Sequence, residues 1–253
     1  MQHKIMDLVV EAGRTLLENG AEVSRVQQTM EIMADSLHLN QFNVYVLTNG
    51  IFATAEDGRQ FARIRNVPTQ DIHLGRVAAV NELSRQIAAG RIGVEAASEE
   101  LARIREMPYP PKIVCVLACA MGSAAFAIMF GGGALEAAAG FAAGILLQLF
   151  LLWVGSKHLN KIATKVSGAA VLAVIALAET ALLPGLLMDK VIIGALMTMT
   201  PGVALTTSIR DFVNGDYLSG TIRMIDALLV AGALACGVGL ILSISHAAGG
   251  AAL

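Results

Sequence analysis

Residues 197–211 read MTMTPGVALTTSIRD. The run is apolar enough to belong to a bilayer-spanning helix, yet Pro201-Gly202 stands at its middle, Thr198, Thr200, Thr206 and Thr207 surround that pair, and Arg210-Asp211 closes it. Proline removes a backbone donor and its ring clashes with the preceding turn, so Pro201 frees carbonyls near Met197 and Thr198, and Gly202 relaxes the chain beyond. In lipid the freed groups must find partners or border a wet cavity. The stretch therefore predicts a broken helix; the alternative is a kink that Thr198 and Thr200 repair within one continuous helix.

Outward from this stretch the chain is unevenly apolar. It has 253 residues, 55% hydrophobic and 15% charged, with mean hydropathy +0.65, more apolar than an ordinary soluble enzyme. Charge mixes with apolar residues up to Pro111 and nearly vanishes for long runs after Lys112, which predicts two domains, 1–111 and 112–253. In the second, Ile113–Phe130, Leu135–Val154, Gly168–Leu183, Val191–Ile209 and Ala227–Ser245 are each long enough to span a bilayer, for which a helix needs about 20 residues. Five spans follow, the fourth of them broken. With the N-terminal domain in the cytoplasm, the inner connections 155–167 and 210–225 hold Lys157, Lys161, Lys165, Arg210 and Arg223. The outer connections 131–134 and 184–190 and the tail after Ser245 hold only Lys190. The positive-inside bias agrees with this orientation and puts the C-terminus outside. Asp7, Glu11, Glu18 and Glu22 in the first thirty residues, with no apolar h-region, argue against a cleaved signal peptide.

The N-terminal part reads as α+β. Ile5, Leu8, Val9, Ala12 and Leu16 recur at helical spacing, as do Val23, Val26, Met30, Met33 and Leu37 beyond Asn19-Gly20. FNVYVLT, IFATAE and FARIR then alternate as strands, and Asn49-Gly50 and Asp57-Gly58 are placed to turn them into a three-strand meander. Helices resume after Pro68, with Val77, Val80, Leu83 and Ile87 inward in one and Val94, Ala97, Leu101 and Ile104 in the next. MPYPPK, residues 107–112, reads as a stiff connector with Tyr109 suited to a membrane–water boundary.

Few residues invite a chemical reading. Cys115, Cys119 and Cys236 lie in apolar runs and read as small hydrophobes. His3, His38, His73, His158 and His246 have no ligand spacing, so no metal or cofactor is expected. The near-zero net charge and scattered basic residues predict no nucleic-acid partner. Glu22, Arg25, Arg63, Arg65 and Asn81 read as solvated residues. No nucleotide-binding, nucleophile-elbow or zinc-protease motif is present, and the chain is expected not to be an enzyme. Paired small residues, Gly140 and Gly144, Ala118 and Gly122, Gly232 and Cys236, predict close helix approach. The exception is Glu179, expected about two-thirds of the way along the third span, where an ionised carboxylate costs roughly 2.5 to 3.5 kcal/mol near the bilayer centre. A broken helix beside a buried acid is an arrangement used by transporters, with helix-dipole ends and polar side chains converging in mid-membrane. That assigns Glu179, Thr198, Thr200, Pro201, Gly202, Thr206 and Asp211 to a substrate or ion pathway. Asp216 and Arg223 would stand at its cytoplasmic mouth, with a solvated loop as the plainer reading of Asp211, Asp216 and Arg223.

Pro201-Gly202, Asp211, Gly215-Asp216, Ser219-Gly220 and Arg223, in that order, resemble the signature of the threonine/serine exporter family. GAEVSRVQQTM at 20–30 is similar to that family's N-terminal helix, with Gln27 where an acidic residue is frequent, and FGGG at 130–133 is similar to its glycine turn. The resemblance runs from about Glu11 to the fifth span. It implies export of small polar metabolites, threonine and serine in some members and dicarboxylates such as succinate in others, across the cytoplasmic membrane. It also implies that this chain corresponds to the first of two membrane units, the other supplied by a second short membrane protein, in a homo- or hetero-oligomer. Two other readings stand beside it: a membrane-anchored enzyme with its site in the soluble domain, and a regulatory subunit that gates a partner transporter.

Overall fold

Apolar residues at helical spacing on nearly every face make α1 (Gln2–Glu18) the central helix of the first unit, with Met6, Val9, Val10, Ala12 and Leu16 fully buried. The computed structural model describes residues 1–68, 72–155, 157 and 160–249. Two compact units appear: Met1–Tyr109 with Thr206–Met224, and Pro110–Leu205 with Ile225–Leu253. The first of these boundaries falls between Tyr109 and Pro110, and Thr206–Met224 groups with the N-terminal residues.

In the first unit α1 packs on α2 (Val23–Ser36), α3 (Leu74–Ala88) and α4 (Val94–Arg105) and on the sheet of β1 (Asn43–Leu47), β2 (Gly50–Glu56) and β3 (Gln60–Asn66). A Cβ on Gly13 would come within 2.2 Å of the Met30 sulfur, so the α1–α2 crossing depends on a residue without a side chain. Gly20 takes φ +93° at the turn between them, where a side chain would be strained. The inward faces of α3 and α4 bury Val80, Leu83 and Ile87, and Ala97, Leu101 and Ile104, as their spacing predicts.

The sheet is an antiparallel meander in the order β1-β2-β3. One turn differs from expectation. Leu47 pairs with Gly50, so the first hairpin loop is Thr48-Asn49, and Gly50 already belongs to the strand without positive φ. The second loop keeps the expected Gly58 at φ +70°. In β3 the polar–apolar phase is inverted: Arg63 and Arg65 face α1, where they bind Asp7 at 2.8 Å and Glu11 at 3.2 Å, while Ile64 is 66% exposed. These arginines are therefore cross-links of sheet to helix and not merely solvated. Glu22 likewise is ion-paired, to Arg210. The connector is pinned on the same unit, with Arg76 donating to Met107 O at 2.6 Å and lying 5.1 Å from the Tyr109 ring centre.

The second unit contains α5 (Lys112–Met129), α6 (Ala134–Gly155), α7 (Lys161–Leu182) and α8 (Met188–Met197). The last two helices, α9 (Gly202–Val213) and α10 (Tyr217–Ala247), have residues in both units. Among the described residues four helices, α5, α6, α7 and α10, are individually long and apolar enough to cross a membrane, and α8 with α9 makes a fifth candidate bent by 58°. The boundaries shift where polar residues meet helix. Asn160 caps α7 by accepting from Ala163 N at 2.7 Å, so the helix starts seven residues before the expected Gly168 and takes in Lys161 and Lys165. Likewise α10 starts at Tyr217, leaving only 214–216 as the connection expected over 210–225. His158 and the last four residues of the tail lie outside the described residues.

Small residues set the packing. A Cβ on Gly144 would sit 2.8 Å from Ala120 Cα and one on Gly194 2.7 Å from Ser123 O, so α6 and α8 both approach the backbone of α5. Gly140 meets Ser123 O at 3.2 Å in the same way. Of the pair Ala118 and Gly122, Ala118 is exposed and a Cβ on Gly122 would stand 3.5 Å from the Thr198 methyl group of α8, whereas Gly232 has open space within 4 Å and Cys236 is exposed, so among the described residues that last pair mediates no approach.

Candidate functional site

Helix α8 ends because Pro201 cannot continue it. Residues 198–201 form the gap before α9, and the helix pair is broken rather than merely kinked. The loose end of α8 closes on itself. Ala195 O accepts from Thr198 N (3.2 Å) and Thr198 Oγ1 (2.7 Å), Leu196 O from Met199 N (2.9 Å) and Thr200 Oγ1 (3.1 Å), and Met197 O from Thr200 N (3.3 Å). The threonines thus do what was expected of them while the break persists. Two neighbouring helices touch the gap. From α5, Cys119 Sγ stands 3.4 Å from Thr198 Oγ1, and from α7, Lys165 Nζ donates to Met199 O at 3.3 Å. Cys119 is thus at the break, where sequence gave it only a packing role.

Glu179 does not stand beside the break. It lies on α7, fourteen residues beyond Lys165, about 21 Å along the helix at 1.5 Å per residue, and three residues from the helix end. Its expected place two-thirds along the span shifts because α7 starts earlier. Glu179 is half-buried, and its Oε2 is enclosed without a hydrogen-bond partner.

A second acid, Glu136, lies in the first turn of α6 and is 5% exposed. Its Oε2 accepts from Gly133 N at 2.6 Å, the return bond of a capping box, and its Oε1 accepts from Leu187 N at 3.2 Å, which ties the α7–α8 connection to α6. Sequence reasoning passed over Glu136, although a glutamate three residues after Gly133 at the start of an apolar run is a legible helix-start signal. Backbone donors account for Glu136; among the described residues no hydrogen-bond donor meets Glu179 Oε2.

Asp211, Asp216 and Arg223 belong to the first unit. Asp211 is 0% exposed and both its carboxylate oxygens lack hydrogen bonds, with Arg223 Nε 3.4 Å away as counter-ion. Arg223 also donates to Ala21 O at 3.3 Å, and Arg210 pairs with Glu22. Ser208 Oγ donates to Gly220 O at 2.8 Å, clasping α9 to α10, and Asp216 N donates to Asp211 O at 2.8 Å across the turn at Gly215. The plain reading of Asp211 and Arg223 as solvated loop residues gives way to a buried ion pair. Thr206 lies on α9 within the same unit.

A cavity of about 490 Å³ in the first unit lies between α1 and α4, lined by residues of those helices. Its charged lining is largely spent on ion pairs: Lys4 with Glu95, Asp7 with Arg63, and Glu11 with Arg65 and Arg105. Among the described residues no group of three or more His, Cys, Asp or Glu is arranged to hold a metal ion. His73 instead accepts from Arg76 N at 3.2 Å, capping α3.

The sequence model of one family, described as "Putative threonine/serine exporter", matches residues 7–245. The chain belongs to the threonine/serine exporter family. Relatives of that family include a "Probable threonine/serine exporter" of Mycobacterium tuberculosis, 25% identical over 93% of this chain and 45% of the relative. Another is a "Threonine/serine exporter" of Corynebacterium glutamicum, 25% identical over 96% of this chain and 51% of the relative. The chain spans about half the length of these curated relatives. No solved structure matches it. With its run of long apolar helices, this member of the threonine/serine exporter family is a multi-pass membrane protein.

Proposed function

We propose that the chain is a subunit of a secondary exporter that moves small polar metabolites out of the cytoplasm, threonine- and serine-type amino acids or dicarboxylates such as succinate. The observation that carries this reading is the family match across residues 7–245. The N-terminal domain is assigned to the cytoplasm and the C-terminus to the outside, because Lys157, Lys161 and Lys165 cluster at one end of the spans. A second short membrane protein supplies the other membrane unit.

The break at Thr198, Thr200, Pro201 and Gly202 borders the solute pathway. Thr206 and Asp211 continue the pathway towards the cytoplasm, with Asp216 and Arg223 at its mouth. Glu179, enclosed without a partner for Oε2, binds the proton or coupling cation at a separate station towards the other end of α7.

Radiolabelled efflux from vesicles containing this chain and its partner tests the reading. Threonine, serine or succinate is expected to leave in a gradient-dependent manner, and Glu179→Gln and Pro201→Ala are each expected to slow efflux at least tenfold, equivalent to about 1.4 kcal/mol in the barrier. Efflux unchanged in both variants removes both residues from the mechanism. Absence of efflux of all three solutes removes the transport assignment.

A further inference from the structure

The hollow between α1 and α4 has opposite charge excesses at its two ends. Its volume of about 490 Å³ is that of a small-molecule site. The floor is apolar, with Leu8 and Leu101 each 4% exposed, and Ser98 and Ala102 on α4 are too short to fill the space above it. At one end Glu11 accepts from Arg65 at 3.2 Å and from Arg105 at 2.9 Å, so guanidinium groups outnumber carboxylates there. Arg105 meets Glu11 through one terminal nitrogen, and the rest of its planar fork of donors remains to be used. At the other end Glu95 and Glu99 stand one turn apart on α4. Lys4 lies 3.9 Å from Glu95, beyond hydrogen-bond length, and both side chains are largely exposed. Glu99 has no hydrogen bond or ion pair among the described residues. Like charges four residues apart repel on a helix, and an added cation relieves them.

We propose that this cavity binds a zwitterionic α-amino acid, at a site separate from the membrane pathway. Glu99, with Glu95 beside it, receives the ammonium, and Arg105 receives the carboxylate. Glu99 and Arg105 are six residues apart on α4, about 9 Å along the axis, with Ala102 midway on the same ridge. An α-amino acid bridges that length: a charge-assisted bond of about 2.8 Å at each end and about 3 Å across the molecule, whose two charged groups are joined through a single Cα. A small side chain then rests over Ala102 against the apolar floor. The bond to Glu11 holds the Arg105 fork in place before the ligand arrives. An amine without a carboxylate leaves Arg105 unserved, and a dicarboxylate brings like charge to Glu99. The site lies wholly in the first unit and needs no transport to be occupied.

A single thiol in the cavity reads its occupancy. The full-length chain with Cys115, Cys119 and Cys236 replaced by alanine and Ser98→Cys added is labelled with N-ethylmaleimide, a neutral reagent. L-threonine at millimolar concentration is expected to slow labelling several-fold. Arg59→Cys, in the hairpin loop between β2 and β3 of the same background, is expected to label at an unchanged rate. Threoninol, which lacks the carboxylate, N-acetylthreonine, which lacks the ammonium, and succinate are expected not to protect. Glu99→Gln and Arg105→Gln are each expected to raise the half-protecting threonine concentration on the order of tenfold, as loss of a hydrogen bond to a charged group implies. Glu99 is exposed and unpaired among the described residues, so Glu99→Gln leaves the fold intact and decides the matter even where Arg105→Gln disturbs Glu11. The proposal is overturned by no protection with threonine, by equal protection with threonine and threoninol, by equal protection of Arg59→Cys, or by an unchanged half-protecting concentration in Glu99→Gln.

Vesicle efflux decides the exporter reading on its own. Threonine efflux without threonine protection of Ser98→Cys overturns the cavity site and leaves the exporter assignment intact. Protection without efflux of any of the three solutes removes the exporter assignment and leaves the first unit with its amino-acid site.

Discussion

The first unit and the apolar bundle handle buried polarity in opposite ways. In the first, carboxylates meet counter-charges: Glu11 takes Arg65 at 3.2 Å and Arg105 at 2.9 Å, Asp7 takes Arg63, Glu18 takes Arg14 at 2.7 Å, and even fully buried Asp211 has Arg223. In the bundle, ion pairs join part-exposed groups, Lys161 with Asp226 and Lys190 with Asp189, whereas buried Glu136 is met by two backbone N–H groups and Glu179 Oε2 is enclosed without a hydrogen-bond partner. Ion pairs at a wet surface are cheap to form and worth little. In apolar surroundings a charge is costly to hold, so one that stabilises no helix end is best explained by work it does. The difference singles out Glu179, about 21 Å along α7 from Lys165.

The strongest test of this contrast lies at its most buried member, the Asp211–Arg223 ion pair of the first unit. Arg223→Ala leaves the Asp211 carboxylate at 0% exposure without its counter-ion and removes the bond to Ala21 O. A loss of about 3 to 5 kcal/mol is expected, read as a large fall in the thermal midpoint of the purified protein. Asp211→Asn in the same chain should restore most of it, because the stranded charge is then gone. If the single variant is as stable as the parent, the pair is not buried in the folded protein and the contrast with the bundle loses its sharpest member.

Within the bundle the two glutamates should part company. Glu136→Ala removes two part-buried hydrogen bonds, those from Gly133 N and Leu187 N, and is expected to cost about 1 to 3 kcal/mol. Glu179→Gln keeps the shape and removes a charge whose Oε2 has no partner, so the thermal midpoint should hold or rise even as efflux falls. Equal destabilisation by the two substitutions would mean that Glu179 is structural as well.

Much of this was legible in the sequence because it rests on local signals. The periodicity of α1 to α4, the meander, the apolar runs and the break at Pro201 are each written within a dozen neighbouring residues. The start of α7 was less so: Asn160 extends the helix by capping it, and an apolar-run criterion sees only where charges stop. That single shift moved Glu179 towards the helix end and drew Lys165 from a loop into the bundle. The inverted face of β3 escaped for another reason. FARIR alternates as any strand does, and nothing in its own residues says that the arginines, facing Asp7 and Glu11 more than fifty residues away, form the inner side.

That inversion supplies the mildest prediction. Arg63 Nε bonds Asp7 Oδ1 at 2.8 Å, but the side chains are 28% and 49% exposed, so water screens the pair and competes for both partners. Arg63→Ala should therefore cost only about 0.2 to 1 kcal/mol, less at high salt. Its guanidinium also lies over the Phe61 ring, with the central carbon 5.9 Å from the ring centre, so part of that loss is a cation–π contact apart from the ion pair. Thermal midpoints of Arg63→Ala and the parent at low and high salt separate the two parts. A salt-independent loss of several kcal/mol would show that this face of the sheet is as dry as the bundle, and the opposition between the two units would then be one of degree.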